Sequence, residues 1–471
     1  MSALDEAVAA AERAAAACRP NMHRYDGDID AFASDAFAFA RRRAGADASG
    51  ALRLGTPRTR EELDAAAGET VTAGGLGEGA VLRLFTDVLE PACLSVDFPR
   101  YLAFVPAAPT EASVIADLVV SACSIYAGSW LEGGGAVWAE NQALRWLADL
   151  AGLPPGAGGC FVSGGTMGNL SALVAARQAA AARLGRRPEG GWALVAGESS
   201  HSSVATAASV MDAELVVVPG DRLTGAALAP ELARLGERCF AVVATAGSTN
   251  LGAVDGLASV AEAVGETWLH VDGAYGGAAL AAPSARPRFA GIERADSFVV
   301  DPHKWLFAPF DACAVLYRDP ALARAAHTQR ARYLDVLNDL ADTGEWNPSD
   351  YAVHLSRRAR GLPFWFSLAA YGTDAYAAAV ETCLAHARVA AELVKASPVL
   401  DLELEPELSV VVFRRRGWTA ADYQEWSHRM LAAGEAFVVP TVHAGLPALR
   451  LCIVNPRTTV ADLRLVVDSL R

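Results

Sequence analysis

The sequence predicts an α/β protein, with a mostly parallel central sheet covered by helices on both faces, a helical N-terminal segment and a small C-terminal α/β domain. Three observations carry this. Between about Gly159 and Tyr317, short β-branched runs alternate with Ala/Leu-rich helical stretches, and such alternation builds a parallel sheet flanked by its connecting helices. The longest apolar stretches, AELVVVPG and CFAVVATAG, are strand-sized and end in glycine, well short of the ~18 residues of a spanning helix. Finally, 471 residues that are 52% hydrophobic and 20% charged can bury a sizeable core and do not resemble a disordered chain.

Taken in order, residues 1–84 read as a helical segment that becomes loop-like and ends in the glycine cluster TAGGLGEG. Residues 85–356 form the predicted large domain. It opens with a helical region from Ser113 through WAENQALRWLADLAG, followed by the strand candidates CFVS, WALVAG, ELVVVPG, FAVVATAG, TWLHVDG, SFVVD and CAVLYRD. Helices such as NLSALVAARQAAAARLG and PELARLGER lie between several of them. Residues 318–356 are polar with few apolar runs, which predicts a functional loop or lid. The smaller domain, 357–471, starts with a long helix over Leu362–Lys395 and has strands near Leu408–Phe413 and Leu449–Val454.

The net charge of −14 argues against a general binder of nucleic acid or anionic membrane, which needs a basic face. Mean hydropathy is +0.22, yet no apolar run is long enough to span a bilayer, so the expectation is a soluble protein. Eight cysteines from Cys18 to Cys452 show no CxxC or other ligand spacing. No metal site is expected, and the pattern reads as reduced thiols in a cytoplasmic protein. Asp5, Glu6 and Glu12 interrupt the Ala-rich start, which reads as a soluble helix rather than a secretion signal.

In open parallel sheets, ligands bind beyond the carboxyl ends of the strands, and four strand exits carry polar residues there. In FVSGGTMGNLSAL, Gly164 and Gly165 let the backbone approach an anion, Thr166 offers a hydroxyl, and a helix starting near Met167 offers free N–H groups. An ordinary strand–helix turn has the same appearance, and the segment is neither a Walker loop nor GxGxxG. Asp272, at the end of the apolar strand in TWLHVDG, can pair with a ligand cation or simply cap a turn. Lys304 in SFVVDPHKWLFAPFDAC is either a solvated charge or, in this apolar surrounding, a desolvated amine whose depressed pKa makes it nucleophilic. His201 opens a helix after a strand, where it can stack on a flat cofactor, move a proton or serve as a cap. A lysine, a distant aspartate and a glycine-lined phosphate loop are the parts that hold pyridoxal phosphate.

These segments resemble the group II pyridoxal-phosphate-dependent amino acid decarboxylases, the family containing aromatic L-amino acid decarboxylase. The resemblance runs from about Pro99 (PRYLAFVP) to Thr459 (IVNPRTT) and takes in the glycine loop, SHSSV, ATAGST, HVDGAYGG, DPHKW and SRRARGLPFWFSLAAYG. It implies the fold-type I architecture and a homodimer with active sites at the subunit interface. It further implies Lys304 as the Schiff-base lysine, Asp272 at the pyridine nitrogen, Ala274 under the ring and His201 over its other face. Gly165, Thr166 and His303 correspond to phosphate contacts, and Thr249 to a cofactor contact near the imine. Tyr333, in ARYLDVL, matches the mobile-loop tyrosine that protonates the substrate carbon after decarboxylation.

Departures from the family bear on the substrate. Asp301 stands where aromatic decarboxylases usually have asparagine. Val96, Asp97, Val105, Ala107 and Gly128 replace bulkier or differently polar groups. The cluster of Phe98, Tyr101, Phe104 and Tyr126 points to a hydrophobic or aromatic amino acid, with Val105 in the same segment, while a diamino acid, left open by Asp97, and an acidic amino acid are the alternatives. An oxygen-consuming aldehyde synthase, an aminotransferase and a non-catalytic nucleotide-binding protein are the rival readings. Retention of Tyr333 disfavours the first of these, and the motifs around His201 and Lys304 disfavour the second.

Overall fold

The computed structural model describes residues 3–17, 27–45, 52–329 and 346–471. The chain forms two compact units, Met1–Ser95 and Val96–Arg471. The first contains α1 (Ala3–Ala17), α2 (Gly27–Gly45), α3 (Arg60–Ala67) and α4 (Glu78–Leu84). A reciprocal cap starts α3: Thr59 N donates to Glu62 Oε2 (2.8 Å) and Glu62 N to Thr59 Oγ1 (3.2 Å), satisfying two otherwise orphaned donors. Gly55, at φ +85°, lies so close to Cys93 that any Cβ would overlap the Cys93 carbonyl oxygen, which leaves glycine as the residue that fits.

The second unit begins with α5 (Glu111–Cys123) and α6 (Trp130–Leu150), N-capped by Thr110 and Ser129. Then follow β1 (Gly158–Val162), α7 (Gly165–Leu184), β2 (Trp192–Gly197), α8 (Ser202–Val210), β3 (Ala213–Val218), α9 (Gly225–Leu235), β4 (Cys239–Thr245) and α10 (Leu257–Ala263). The sheet is completed by β5 (Trp268–Asp272), β6 (Ser297–Val300) and β7 (Cys313–Tyr317), with α11 (Pro320–His327) after it. Strand order is β1-β7-β6-β5-β4-β2-β3. β7 runs antiparallel to both its neighbours, and every other pairing is parallel.

Alternate residues of these strands feed two separate cores. Val195, Val242, Ala244, Val271 and Val300 pack on one face. Leu194, Val243, Trp268, Val299 and Val315 pack on the other. Strands buried on both faces are apolar throughout, which is why β2, β4 and β6 are visible in the sequence as uninterrupted runs. The predicted architecture, a mostly parallel sheet between helical layers, is the one observed.

Beyond this sheet come α12 (Leu362–Tyr371), α13 (Thr373–Ala396), β8 (Leu400–Leu402), β9 (Val410–Arg415), α14 (Ala420–Ala432), β10 (Pro440–His443), β11 (Leu446–Cys452) and α15 (Val460–Asp468). The four strands form an antiparallel sheet in the order β10-β11-β9-β8. Three local expectations need correction. The helix expected over Leu362–Lys395 is two helices, broken at Gly372, whose φ of 77° is incompatible with helix continuation. The polar stretch from 318 is not irregular throughout, because Asp319 caps α11 by accepting from Ala321 N (3.0 Å) with Pro320 at its start. The C-terminal region has four strands where two were expected, since β8 and β10 are too short to leave a pattern. Among the described residues, no helix is long and apolar enough to cross a membrane.

Candidate active site

A cavity of about 240 Å³ lies at the carboxyl ends of the parallel strands, where this topology leaves loops and helix starts pointing at one another. β1 ends at Val162, and the chain turns through Ser163 and Gly164 into α7. Gly165 opens that helix two residues earlier than the sequence suggested. A Cβ here would come within 3.0 Å of Ala274 Cβ and 3.2 Å of Asp301 Oδ2, so glycine lets the loop close against the exits of β5 and β6. Thr166 lines the cavity beside it. The first-turn N–H groups and dipole of α7 favour an anion at this edge.

At the exit of β6, Lys304 Nζ lies 2.8 Å from Asp301 Oδ2. Gly165 N donates to the same oxygen (3.3 Å). Burial pushes the Lys304 amine down, but the adjoining Asp301 charge and hydrogen bond, helped by Asp272, outweigh it and hold the amine above its ordinary value. The sequence expectation of a depressed lysine is therefore corrected: it counted desolvation and omitted the partner three residues away. Burial raises the Asp301 carboxyl, and Lys304 and His303 together bring it below the usual range. His303 is buried, with Nδ1 2.7 Å from the Ala312 carbonyl oxygen. Burial moves its imidazole down despite the pull of Asp301.

At the exit of β5, Asp272 accepts from Asn169 Nδ2 (2.8 Å) through Oδ2 and from Ala274 N (3.0 Å) through Oδ1. His201 is the N-cap of α8, where Nδ1 accepts from Ser203 N (3.2 Å). Gly165, Thr166, His201, Thr249, Asp272, Ala274, His303 and Lys304, drawn from five strand exits, thus all line one cavity. Tyr333 lies outside the described residues.

The five residues expected to shape a substrate pocket do not line this cavity. Asp97 is engaged by Arg457, 3.4 Å from Oδ2 and 2.8 Å from the carbonyl oxygen. Phe98 is buried beneath the Arg100 guanidinium (4.7 Å), and Val105 packs against the main core. Phe104 comes near, since Arg450 donates both to its carbonyl (2.7 Å) and to that of Thr249 (2.8 Å). Within one chain, Tyr126 faces a different cavity of about 600 Å³ that includes Arg357, Arg358 and Arg360, and its hydroxyl donates to the Leu355 carbonyl (3.1 Å).

Sequence reasoning missed Asn169 and Thr245. Thr245 ends β4 directly beside Asp272 in the sheet. Its hydroxyl is buried with no hydrogen-bond partner among the described residues. A polar residue closing an otherwise apolar strand was the available signal for Thr245. For Asn169, in the second turn of α7, there was none.

The family described as "Pyridoxal-dependent decarboxylase conserved domain" matches residues 73–416. The chain is 32% identical over 402 residues to the aromatic-L-amino-acid decarboxylase of Bacillus atrophaeus, covering 80% of this chain and 81% of that protein. It is also 32% identical over 409 residues to the L-2,4-diaminobutyrate decarboxylase of Rhizobium meliloti (strain 1021), covering 83% and 81%. The crystal structure of Oryza sativa TDC with PLP and tryptamine superposes with a TM-score of 0.87 at 25% identity, covering 95% of this chain and 98% of that one.

Proposed function

This chain belongs to the pyridoxal-dependent decarboxylase family, and from that premise we propose that its cavity decarboxylates a hydrophobic or aromatic L-amino acid to the amine and CO₂. The coarser statement, a pyridoxal-phosphate-dependent amino acid decarboxylase, follows from membership itself. The residues present fit the cofactor. The buried Thr245 hydroxyl lacks a partner among the described residues, and the Gly164–Gly165 turn forms a side-chain-free cradle at the start of α7. When bound, pyridoxal phosphate supplies the electron sink for loss of the carboxylate.

The observation that carries the reading is the convergence of Lys304, Asp272 and His201 on one cavity that also holds the start of α7. In this reading, Gly165, Thr166 and His303 hold the phosphate. Asp272 keeps a proton on the ring nitrogen, while Ala274 leaves one ring face open to contact. His201 covers the other face. Lys304 would hold the cofactor through its side-chain amine, with Asp301 at 2.8 Å as the group able to take or return its proton. Tyr333 delivers a proton to the substrate α-carbon. Phe310, exposed and lining the cavity, and Phe104, packed on Phe437 (5.9 Å) beside Thr249, support an apolar or aromatic side chain. Engagement of Asp97 by Arg457 weakens the argument for a diamino acid.

The working unit in this proposal is a cytoplasmic homodimer, with residues 1–84 contributing dimer contacts and Tyr126 reaching the partner's site. Exposed Leu118 and Val119 on α5 and Trp138 on α6 support the pairing. Borohydride reduction of cofactor-saturated protein should leave a pyridoxyl group on the peptide carrying Lys304, and its absence would remove the cofactor assignment. An amine-product assay over the common and diamino acids then selects the substrate. Aldehyde, ammonia and peroxide as main products, with oxygen consumed, would replace the decarboxylase reading by an aldehyde synthase.

A further inference from the structure

Asp272 and His201 share one support. Alternation along β5 puts Trp268, His270 and Asp272 on the same face of the strand, where α7 and α8 contribute Asn169 and Ser203. A continuous run of buried polar contacts links them. Trp268 Nε1 donates to Ser297 Oγ (2.8 Å), and the same oxygen lies 2.8 Å from His270 Nδ1. His270 Nε2 is 2.9 Å from Asn169 Oδ1. Asn169 Nδ2 then donates to Asp272 Oδ2 (2.8 Å) and to Ser203 Oγ (2.9 Å). Ser203 Oγ lies 2.9 Å from His201 Nδ1. His270, Ser297, Asn169 and Ser203 are all buried.

The direction of this run is dictated by the Asp272 carboxylate, which only accepts. Asn169 must turn Nδ2 towards it, which leaves Oδ1 facing His270 Nε2. Burial lowers His270 to about 4 despite Asp272, so the ring is neutral and carries its hydrogen on Nε2, facing the Asn169 carbonyl. That contact holds the amide with both hydrogens outward, one to the Asp272 carboxylate and one to Ser203. The Ser203 proton goes on to His201 Nδ1, which also accepts the Ser203 backbone N–H. With Nδ1 accepting, Nε2 is the His201 nitrogen that carries a hydrogen.

We propose that Asn169 is a positioning residue that locks Asp272 and His201 into one hydrogen-bonded unit and presents the Nε2–H of His201 to the cavity. This rests on the reading that both residues face the cofactor. No other described side chain hydrogen-bonds to both Asp272 and Ser203.

The test uses Asn169→Leu, Asn169→Asp, Ser203→Ala and the Leu/Ala double variant, alongside wild-type protein examined for the borohydride adduct at Lys304. Asn169→Leu should weaken cofactor binding by roughly ten- to a hundredfold, the loss expected for a hydrogen bond to a charged group, and should shift the absorption maximum of the bound cofactor. Asn169→Asp keeps the shape but puts an acceptor against Asp272, so it should weaken binding as strongly. A residue needed only to fill space would tolerate aspartate. Because Asn169 reaches His201 through Ser203, the kcat losses of Asn169→Leu and Ser203→Ala should depart from simple multiplication by more than about threefold. Wild-type cofactor affinity and an unshifted spectrum in Asn169→Asp, or kcat losses that multiply, would overturn the proposal while leaving the cofactor assignment intact. A wild-type protein without the Lys304 adduct would overturn both.

Discussion

Replacing Thr245 with valine separates what the cofactor-free protein gains from what the loaded protein loses. The residue is 4% exposed, and its hydroxyl has no partner among the described residues. Its backbone is secure without that oxygen, since Thr245 N donates to Asp255 Oδ2 (2.6 Å) and its carbonyl accepts from Asp255 N (2.9 Å). Valine preserves the β-branch and nearly the volume. A buried, unpaired hydroxyl costs about 1–3 kcal/mol, so cofactor-free Thr245→Val should be more stable than wild type by up to that amount. Bound cofactor offers the wild-type hydroxyl a partner and offers valine none. The same ~1–3 kcal/mol is then missing from binding, roughly a five- to hundredfold rise in Kd. Thermal melts of the cofactor-free proteins and absorbance titrations with pyridoxal phosphate measure the two halves. A lower melting midpoint for the cofactor-free variant, or an unchanged Kd, would refute the reasoning.

Asp301→Asn should let burial prevail at Lys304, whose Nζ then loses the carboxylate charge at 2.8 Å. An amine-reactive label should modify Lys304 of the cofactor-free variant at lower pH than in wild type, and coincident pH profiles would contradict this. Asp255 supplies a pH prediction of the opposite kind. Burial pushes its carboxyl from 3.8 up to about 6, against two backbone hydrogen bonds and Arg222. The folded protein therefore holds this proton more tightly than the unfolded chain. The resulting stability is complete below the unfolded-state value and is lost as pH rises through about 6. Asp255→Asn should remove a decline of about 3 kcal/mol between pH 4 and 6, read from urea midpoints, and parallel wild-type and variant curves would exclude it.

The inner strands of the large sheet are legible because an apolar run must face two cores: WALVAG, FAVVATAG and SFVVD coincide with β2, β4 and β6. Strand order is not legible in the same way. Nothing in CAVLYRD says that β7 reverses and lies between β1 and β6, since pairing is settled by the connection after Lys304. Gly372 shows the same limit at a helix. Its neighbours on both sides favour helix, and only its backbone angle reveals the break. Within the site, Lys304, Asp272, His201 and the glycine loop were readable as polar groups at strand exits. Asn169 was not, because the partners that give it meaning, Asp272 and His270, lie 103 and 101 positions away. The state of Lys304 escapes a reading of its apolar surroundings for a local reason: the charge of Asp301, three residues away, decides the sign.

The reversal of β7 bears on how the chain tolerates change. Most strand exits at this edge lead into helices. Lys304 instead lies on residues 301–312, which join two antiparallel neighbours, β6 and β7. Both ends of that span are stapled to one sheet, about 4.8 Å apart, as in a hairpin. The span is also part of the core, with Trp305, Leu306 and Phe307 buried in it, so the amine is anchored by both strands and by the packed side chains of its own connection.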